Sequence, residues 1–390
     1  MKSRSSRRNF LAAGLAVPAA GLASVSSRAG GALQSPQPSV PQSKGGLKYR
    51  TLGRTGMKVT EVGLGCMITS DQSVVEKAAD LGINFFDTAR GYQGGNNERM
   101  VGAALKARRK QVFISSKTGA RTGAEAMAHL ETSLRELGTD YLDVWNLHGR
   151  SRPEELTDEL LEVQQTARQQ GKIRFAGIST HNLADVIQAV IKTGKLDVVV
   201  FTYNFSMGSS LDEAIKAGRD AGIGLVAMKV MAGGFRRAKP GQSQYEILKR
   251  EGAMPAALRW VLRNPGLGTT IPSMTDMEQL DDDFKAMGAP FTEGDAKLLA
   301  AQLDYIRPLY CRMCGNCQGT CPQGLPVADM LRYLTYAEGY GQFALGREHF
   351  LALPEEVTRV RCQLCPSCSV KCPNGVQVAE RLIRAQELFA

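Results

Sequence analysis

The sequence predicts an α/β chain: a closed parallel (β/α)8 barrel over residues 47–300, then a small, mainly helical domain over residues 301–390. Three observations predict it. Eight apolar, β-branched runs recur at Val59–Cys66, Ile83–Ala89, Val112–Lys117, Tyr141–His148, Ile173–Thr180, Val198–Tyr203, Gly224–Val230 and Thr269–Ser273. Helical patterns such as Ala124–Leu137 and Pro153–Gln169 lie between them, and strand–helix alternation implies a parallel sheet. Eight of the nine cysteines then crowd into the last 80 residues, which marks a separate C-terminal unit. An open doubly wound sheet is the competing architecture. The first strand ends in VGLGC, without the G-x-G-x-x-G spacing that such a sheet uses for a dinucleotide.

The chain begins with a segment of a different kind. Residues 1–46 hold six basic residues and no acid. Arg7 and Arg8 precede a weakly apolar stretch and then small residues, the pattern of a twin-arginine export signal over residues 1–29. A membrane anchor is the alternative, weakened by Pro18 and many Gly and Ser residues. Residues 30–46 are rich in Ser, Pro, Gln and Gly and read as a flexible linker. The expected partner is the twin-arginine export machinery, and the expected location is periplasmic or otherwise extracytoplasmic.

Of the formal +10 charge, six units lie in residues 1–46, so ten minus six leaves +4 for the rest. There is no basic stripe, and nucleic acid is not expected as a partner. Hydrophobic residues at 43% and charged residues at 22% suit a globular chain.

The barrel ends with a helix over Glu293–Tyr305, and the cysteine region follows. It contains Cys311-x2-Cys314-x2-Cys317-x3-Cys321-Pro322 and, forty residues on, Cys362-x2-Cys365-x2-Cys368-x3-Cys372-Pro373. Each corner of an iron–sulfur cubane takes a soft thiolate. Three closely spaced cysteines wrap three corners, and the one before proline reaches the other cluster. One [4Fe–4S] cluster is therefore assigned to Cys311, Cys314, Cys317 and Cys372, the other to Cys362, Cys365, Cys368 and Cys321. Zinc would leave cysteines and prolines unexplained, and duplicate spacing argues against disulfides. Leu325–Tyr340 and Val376–Leu388 have helical spacing. This region resembles the dicluster ferredoxin domains appended to other oxidoreductases.

Four ionisable residues stand at or just past successive strand ends: Asp87, Tyr92, Lys117 and His148. In a closed parallel barrel those ends converge on one face, where catalysis is built. A phenol titrates near pH 10. A lysine ammonium beside it lowers that value, an aspartate holds the lysine charged, and a histidine orients a carbonyl oxygen. Cys66, at the end of the first strand, reads as a small buried apolar residue.

The stretches LGRTGMKVTEVGLG, DTARGYQGGNNERMVGAAL, SLRELGTDYLDVWNLH, GKIRFAGIST and AALRWVLRNP make residues 47–300 similar to the aldo-keto reductase family, whose fold is a TIM barrel. The resemblance implies that Asp87, Tyr92, Lys117 and His148 are the catalytic tetrad. It also implies hydride exchange between NADP or NAD and a small carbonyl or alcohol substrate. For the nucleotide it implies contacts at Ser179 and Thr180, at Met228 where a stacking tyrosine is usual, and at Ser273 and Gln279 where bases for a 2′-phosphate would align. Val200 replaces a customary glutamine, and Arg236 and Arg237 are candidate substitutes for the missing bases. The expected function is an exported iron–sulfur oxidoreductase with Tyr92 as acid/base, its clusters either structural or relaying electrons to an external redox protein. Two alternatives stand beside it: an electron-transfer protein with a docking barrel, and a sugar-acting enzyme with permanently bound nucleotide.

Overall fold

Period-2 alternation along the strands decides which side chains enter the barrel. On Phe113–Thr118, Phe113, Ser115 and Lys117 share one face, and Phe113 points into the barrel interior while Ile114 joins the outer core. A computed structural model describes residues 46–233 and 252–390. The export segment, the linker apart from Gly46, and Arg236 and Arg237 lie outside the described residues.

The eight barrel strands are β3 (Leu64–Gly65), β4 (Phe85–Asp87), β5 (Phe113–Thr118), β6 (Leu142–Leu147), β7 (Ile173–Thr180), β8 (Val198–Thr202), β9 (Gly224–Met228) and β10 (Thr269–Thr270). They pair in parallel, each with its sequence neighbours. The last strand meets the first through a parallel bridge from Val62 to Thr270, with Gly63 N–H donating to Thr270 O and Gly65 N–H to Pro272 O, both at 2.8 Å. A Cβ at Gly65 would lie 2.5 Å from Ile271 O, so this seam requires glycine.

The first apolar run does not form one strand, as its hydrophobicity suggested. Its first part, in β2 (Lys58–Thr60), pairs antiparallel with β1 (Tyr49–Thr51), and only Leu64–Gly65 enters the barrel. The hairpin closes the barrel floor: Leu52, Met57 and Val59 pack with Phe85, Phe113, Val144, Val198 and Val226. An apolar run has no separate signal for turning from a plug into a barrel stave.

Helices cover the outside. Gly123–Leu137 is capped by Thr122 and stopped by Gly138, and Asp158–Gln169 is capped by Thr157. The region expected to be helical from Pro153 begins with a short 3-10 turn at Pro153–Glu155. The closing helix runs Glu293–Ile306, with Thr292 and Asp295 forming a capping box.

The C-terminal region has its own core of Val327, Met330, Leu331, Leu334, Phe350, Leu382, Ala385 and Phe389. Its helices are Val327–Glu338, Phe343–Leu351, Glu355–Thr358 and Val378–Phe389. It contacts the barrel directly. The Tyr310 hydroxyl accepts from Asn204 Nδ2 at 3.3 Å, and a Cβ at Gly339 would lie 2.1 Å from Gly233 O. The helix Val327–Glu338 therefore approaches the loop after β9, at the carboxyl end of the barrel. Among the described residues, no helix is long and apolar enough to cross a membrane.

Candidate active site

The β4–β5 and β5–β6 pairings continue past the strand ends and set the loops that carry the tetrad. Thr88 N–H donates to Ser115 O at 2.8 Å, Arg90 N–H to Lys117 O at 3.0 Å, and His148 N–H to Thr118 O at 2.8 Å. Register places Asp87 beside Ser115 and Lys117 beside Asn146. The face alternation that buries Phe85 and Phe113 at the floor therefore brings Asp87 and Lys117 inward at the mouth.

Lys117 is only 1% exposed and Asp87 2%. A buried ammonium is costly unless it is paired and hydrogen-bonded. Lys117 Nζ meets both conditions: it pairs with Asp87 Oδ2, donates to Thr88 O at 2.8 Å, and donates to the Tyr92 hydroxyl at 3.3 Å. Asp87 Oδ1 accepts from Ser115 Oγ at 2.8 Å, and Ser115 Oγ accepts from Asn146 Nδ2 at 3.0 Å. The Tyr92 ring meets the His148 ring edge to face, with centroids 5.8 Å apart. All four predicted side chains thus come together.

The electrostatics differ in one respect from the expectation. Lys117 does pull the Tyr92 phenol down, but burial outweighs it and the net pKa rises to about 12. The phenol is therefore a proton donor across neutral pH. Burial and the charges of Lys117, Arg332, Lys229 and Arg150 drive His148 down to about 3, so its ring is neutral. Neutral imidazole can donate a hydrogen bond from one nitrogen without carrying charge.

The His148 shift has a sign that experiment can check. An unfolded histidine takes up its proton near 6.5, whereas the folded one does so only near 3. The unfolded state therefore binds more protons between those values, and stability falls as pH drops through that window. His148→Gln should flatten the dependence of chemical-denaturation stability on pH between about 6.5 and 3. An unchanged slope would show that His148 is not held neutral by the fold.

The nucleotide positions separate into two groups. Met228 and Ser273 line a cleft with Gly65, Asp87 and Tyr92. Ser179 and Thr180 lie buried at the end of β7 and bind the chain locally. Ser179 Oγ accepts from Gly149 N–H at 2.9 Å, and Thr180 Oγ1 from Asn182 N–H at 2.9 Å. Gln279 bonds Thr275 and Asp276 within its own helix start, and the cleft lining does not include it. Val200 packs in the barrel floor, and Cys66 sits fully buried in the outer core with its thiol pushed up by burial.

Sequence reasoning missed the roof. Lys229 and Tyr340 line the same cleft as Tyr92. Arg332, Tyr336 and Tyr340 recur every four residues from the helix Val327–Glu338, so a polar–aromatic stripe was there to be noticed.

The cysteines fall into two sets. Burial raises the Cys311 thiol to about 12, and Cys317, Cys314 and Cys372 push it the same way. Burial raises Cys362 to about 11, reinforced by Cys365, Cys321 and Cys368. Cys321, Cys362, Cys365 and Cys368 line one cavity. Asn374 joins the two runs: its Nδ2 donates to Cys314 Sγ at 3.4 Å and its Oδ1 accepts from Arg312 at 3.1 Å. Among the described residues, no three His, Cys, Asp or Glu side chains converge tightly enough to hold a single metal ion.

Comparison with known proteins agrees with the barrel. The oxidoreductase YqkF of Bacillus subtilis is 29% identical over 296 residues, which cover 65% of this chain and 95% of that protein. The NADH-specific methylglyoxal reductase of Escherichia coli is 26% identical over 307 residues, covering 64% and 94%. The holo structure of aldo-keto reductase AKR11C1 from Bacillus halodurans superimposes with a TM-score of 0.57 at 27% identity, covering 65% of this chain and 96% of that one. The sequence model of the Aldo/keto reductase family matches residues 67–304, which carry every strand from β4 to β10 and all four mouth residues. On that match and that barrel, the chain belongs to the aldo/keto reductase family and is an oxidoreductase of its type.

Proposed function

We propose that the chain is an exported iron–sulfur oxidoreductase that interconverts a carbonyl and an alcohol, with Tyr92 as acid/base. The observation that carries this reading is the position of Lys117 Nζ, paired with Asp87 and 3.3 Å from the Tyr92 hydroxyl at the barrel mouth. The phenol stays protonated at neutral pH and delivers a proton to a carbonyl oxygen as its carbon is reduced. The Lys117 ammonium favours the phenolate left behind, and Asp87 keeps that ammonium charged and in place. His148, neutral beside Tyr92, orients the carbonyl oxygen.

The cleft residues suit a nicotinamide. Met228, at the end of β9, offers an apolar face and Ser273 a hydroxyl, and both line the cleft with Tyr92. These two residues would hold the ring of NADP or NAD, which supplies the hydride. Ser179 and Thr180 contribute through the loop they brace.

The grouping of Cys311, Cys314, Cys317 and Cys372, and of Cys362, Cys365, Cys368 and Cys321, supports two [4Fe–4S] clusters with ligands crossing between the runs. Cluster iron takes such cysteines as thiolates, and its positive charge offsets the cost of burying them in that form. Such clusters carry single electrons, and an external redox protein is the natural partner. Export rests on Arg7, Arg8 and the weakly apolar stretch after them, and implies folding before transport to the periplasm or an equivalent space.

Cofactor content of the full chain, purified anaerobically, tests the reading. Nicotinamide nucleotide released on denaturation, or NADPH or NADH binding by fluorescence titration, is the expected result. No bound nucleotide and no binding of either would sink the hydride reaction. Iron and sulfide should each be near eight per chain, about four per cubane.

A further inference from the structure

The roof over the cleft carries a cation that the tetrad does not use. Lys229 follows β9 with φ of 55°, a left-handed conformation unusual for a lysine. Asn204, fully buried, holds it there by donating from Nδ2 to Lys229 O at 3.0 Å. The Lys229 ammonium lies 4.9 Å from the centre of the Tyr336 ring and 5.4 Å from that of Tyr340. Both rings come from the C-terminal domain, so the barrel and the appended helices together fix this side chain in the cleft wall.

Among the described residues, charge at the mouth is not balanced. Lys117 is neutralised by Asp87, and Arg332 pairs with Asp329 at 2.8 Å. Among the described residues, no carboxylate pairs with Lys229. Arg332 keeps a buried Nε with no hydrogen-bond partner, and its charge reaches Lys229, His148 and His181. His181 does not supply the missing anion: its Nδ1 bonds Thr202 Oγ1 at 2.9 Å. The Tyr340 hydroxyl hydrogen-bonds Lys229, but a phenol supplies no compensating negative charge, and an anionic ligand beside this part-buried cation does.

We propose that Lys229, with Arg332 behind it, binds the carboxylate of an anionic substrate, so that the carbonyl or alcohol presented to Tyr92 belongs to an oxo acid, a hydroxy acid or a sugar acid. This rests on the assignment of Tyr92 as acid/base. The appended domain then sets specificity as well as holding clusters, because it supplies Arg332 and the two rings that position Lys229. A nucleotide phosphate has the same oxyanion chemistry and is the competing source.

Calorimetric titration of the anaerobic, cluster-loaded full chain separates these cases without relying on turnover. Pyruvate and D-glucuronate serve as acid probes, methylglyoxal and D-glucose as neutral counterparts, and NADPH as the phosphate probe. At least one acid should bind roughly tenfold or more tighter than its neutral counterpart. Lys229→Met should erase that preference, Lys229→Arg should keep part of it, and Arg332→Gln should weaken it, with NADPH affinity unchanged. Melting temperature and cluster absorbance matching the wild type show that the variants fold. Two results would overturn the proposal: acids binding no tighter than neutral partners in the wild type, or Lys229→Met lowering NADPH affinity while sparing the acids. The preference should persist in Tyr92→Phe, and an acid preference in a wild-type chain that turns over no carbonyl or alcohol would refute the reaction and not the site.

Discussion

Tyr92→Phe is expected to lower kcat for carbonyl reduction by about 10²–10⁴-fold, the usual contribution of a positioned acid. The change removes one oxygen and keeps the ring. The edge contact to His148 and the cation–π contact with Lys117, whose Nζ is 4.8 Å from the ring centroid, both survive. Folding, iron content and nucleotide binding should therefore match the wild type. Lys117→Met gives a complementary result. It leaves Asp87 buried without its ammonium, so it should lose both activity and stability, with about 3–5 kcal/mol lost from unfolding free energy when one partner of a buried pair is removed. If Tyr92→Phe retains full turnover, the proton comes from elsewhere and the barrel mouth is not the reacting centre.

The second large effect concerns the clusters. Cys372→Ser should reduce iron from about eight to about four per chain, and the cluster lost should be the one held by Cys311, Cys314 and Cys317. Cys321→Ser should remove the other. The reasoning is spatial: Cys372 acts on Cys311 and Cys317, while Cys321 acts on Cys362. The Asn374 amide on Cys314 brings the second run against the first. Electron paramagnetic resonance of the reduced variants identifies which cluster remains. Retention of the Cys311–Cys317 signal in Cys372→Ser would mean that each run serves its own cluster.

These two experiments probe parts of the chain that differ in how far the sequence alone reveals them. Asp87, Tyr92, Lys117 and His148 are legible because strand ends carry their own signal: an apolar run stops and an ionisable residue follows. The cysteine spacing is legible because it lies within two short stretches of chain. The opening run was misread for a related reason. Val59 and Leu64 are equally apolar, yet one plugs the floor and the other lines the barrel wall. Burial alone does not distinguish a plug from a stave. Gln279 shows what sequence does not carry: its alignment position suggested a phosphate contact, and only the fold reveals that its side chain also bonds at its own helix start.

Local pattern by itself determined the barrel, the four ionisable residues at its mouth and the two cysteine runs, because strand period, strand ends and cysteine spacing are properties of short stretches of chain. Only the tertiary structure decided what lies above the mouth. Tyr92 and Arg332 stand 240 residues apart, and nothing near either one reports the other. Packing of Gly339 against Gly233 and of Tyr310 against Asn204 brings the C-terminal helix to the cleft. The net protonation of Tyr92 and His148 was settled at the same level. Nearby charge can be guessed from sequence, but desolvation depends on every element that closes over the site, and here desolvation is the larger effect.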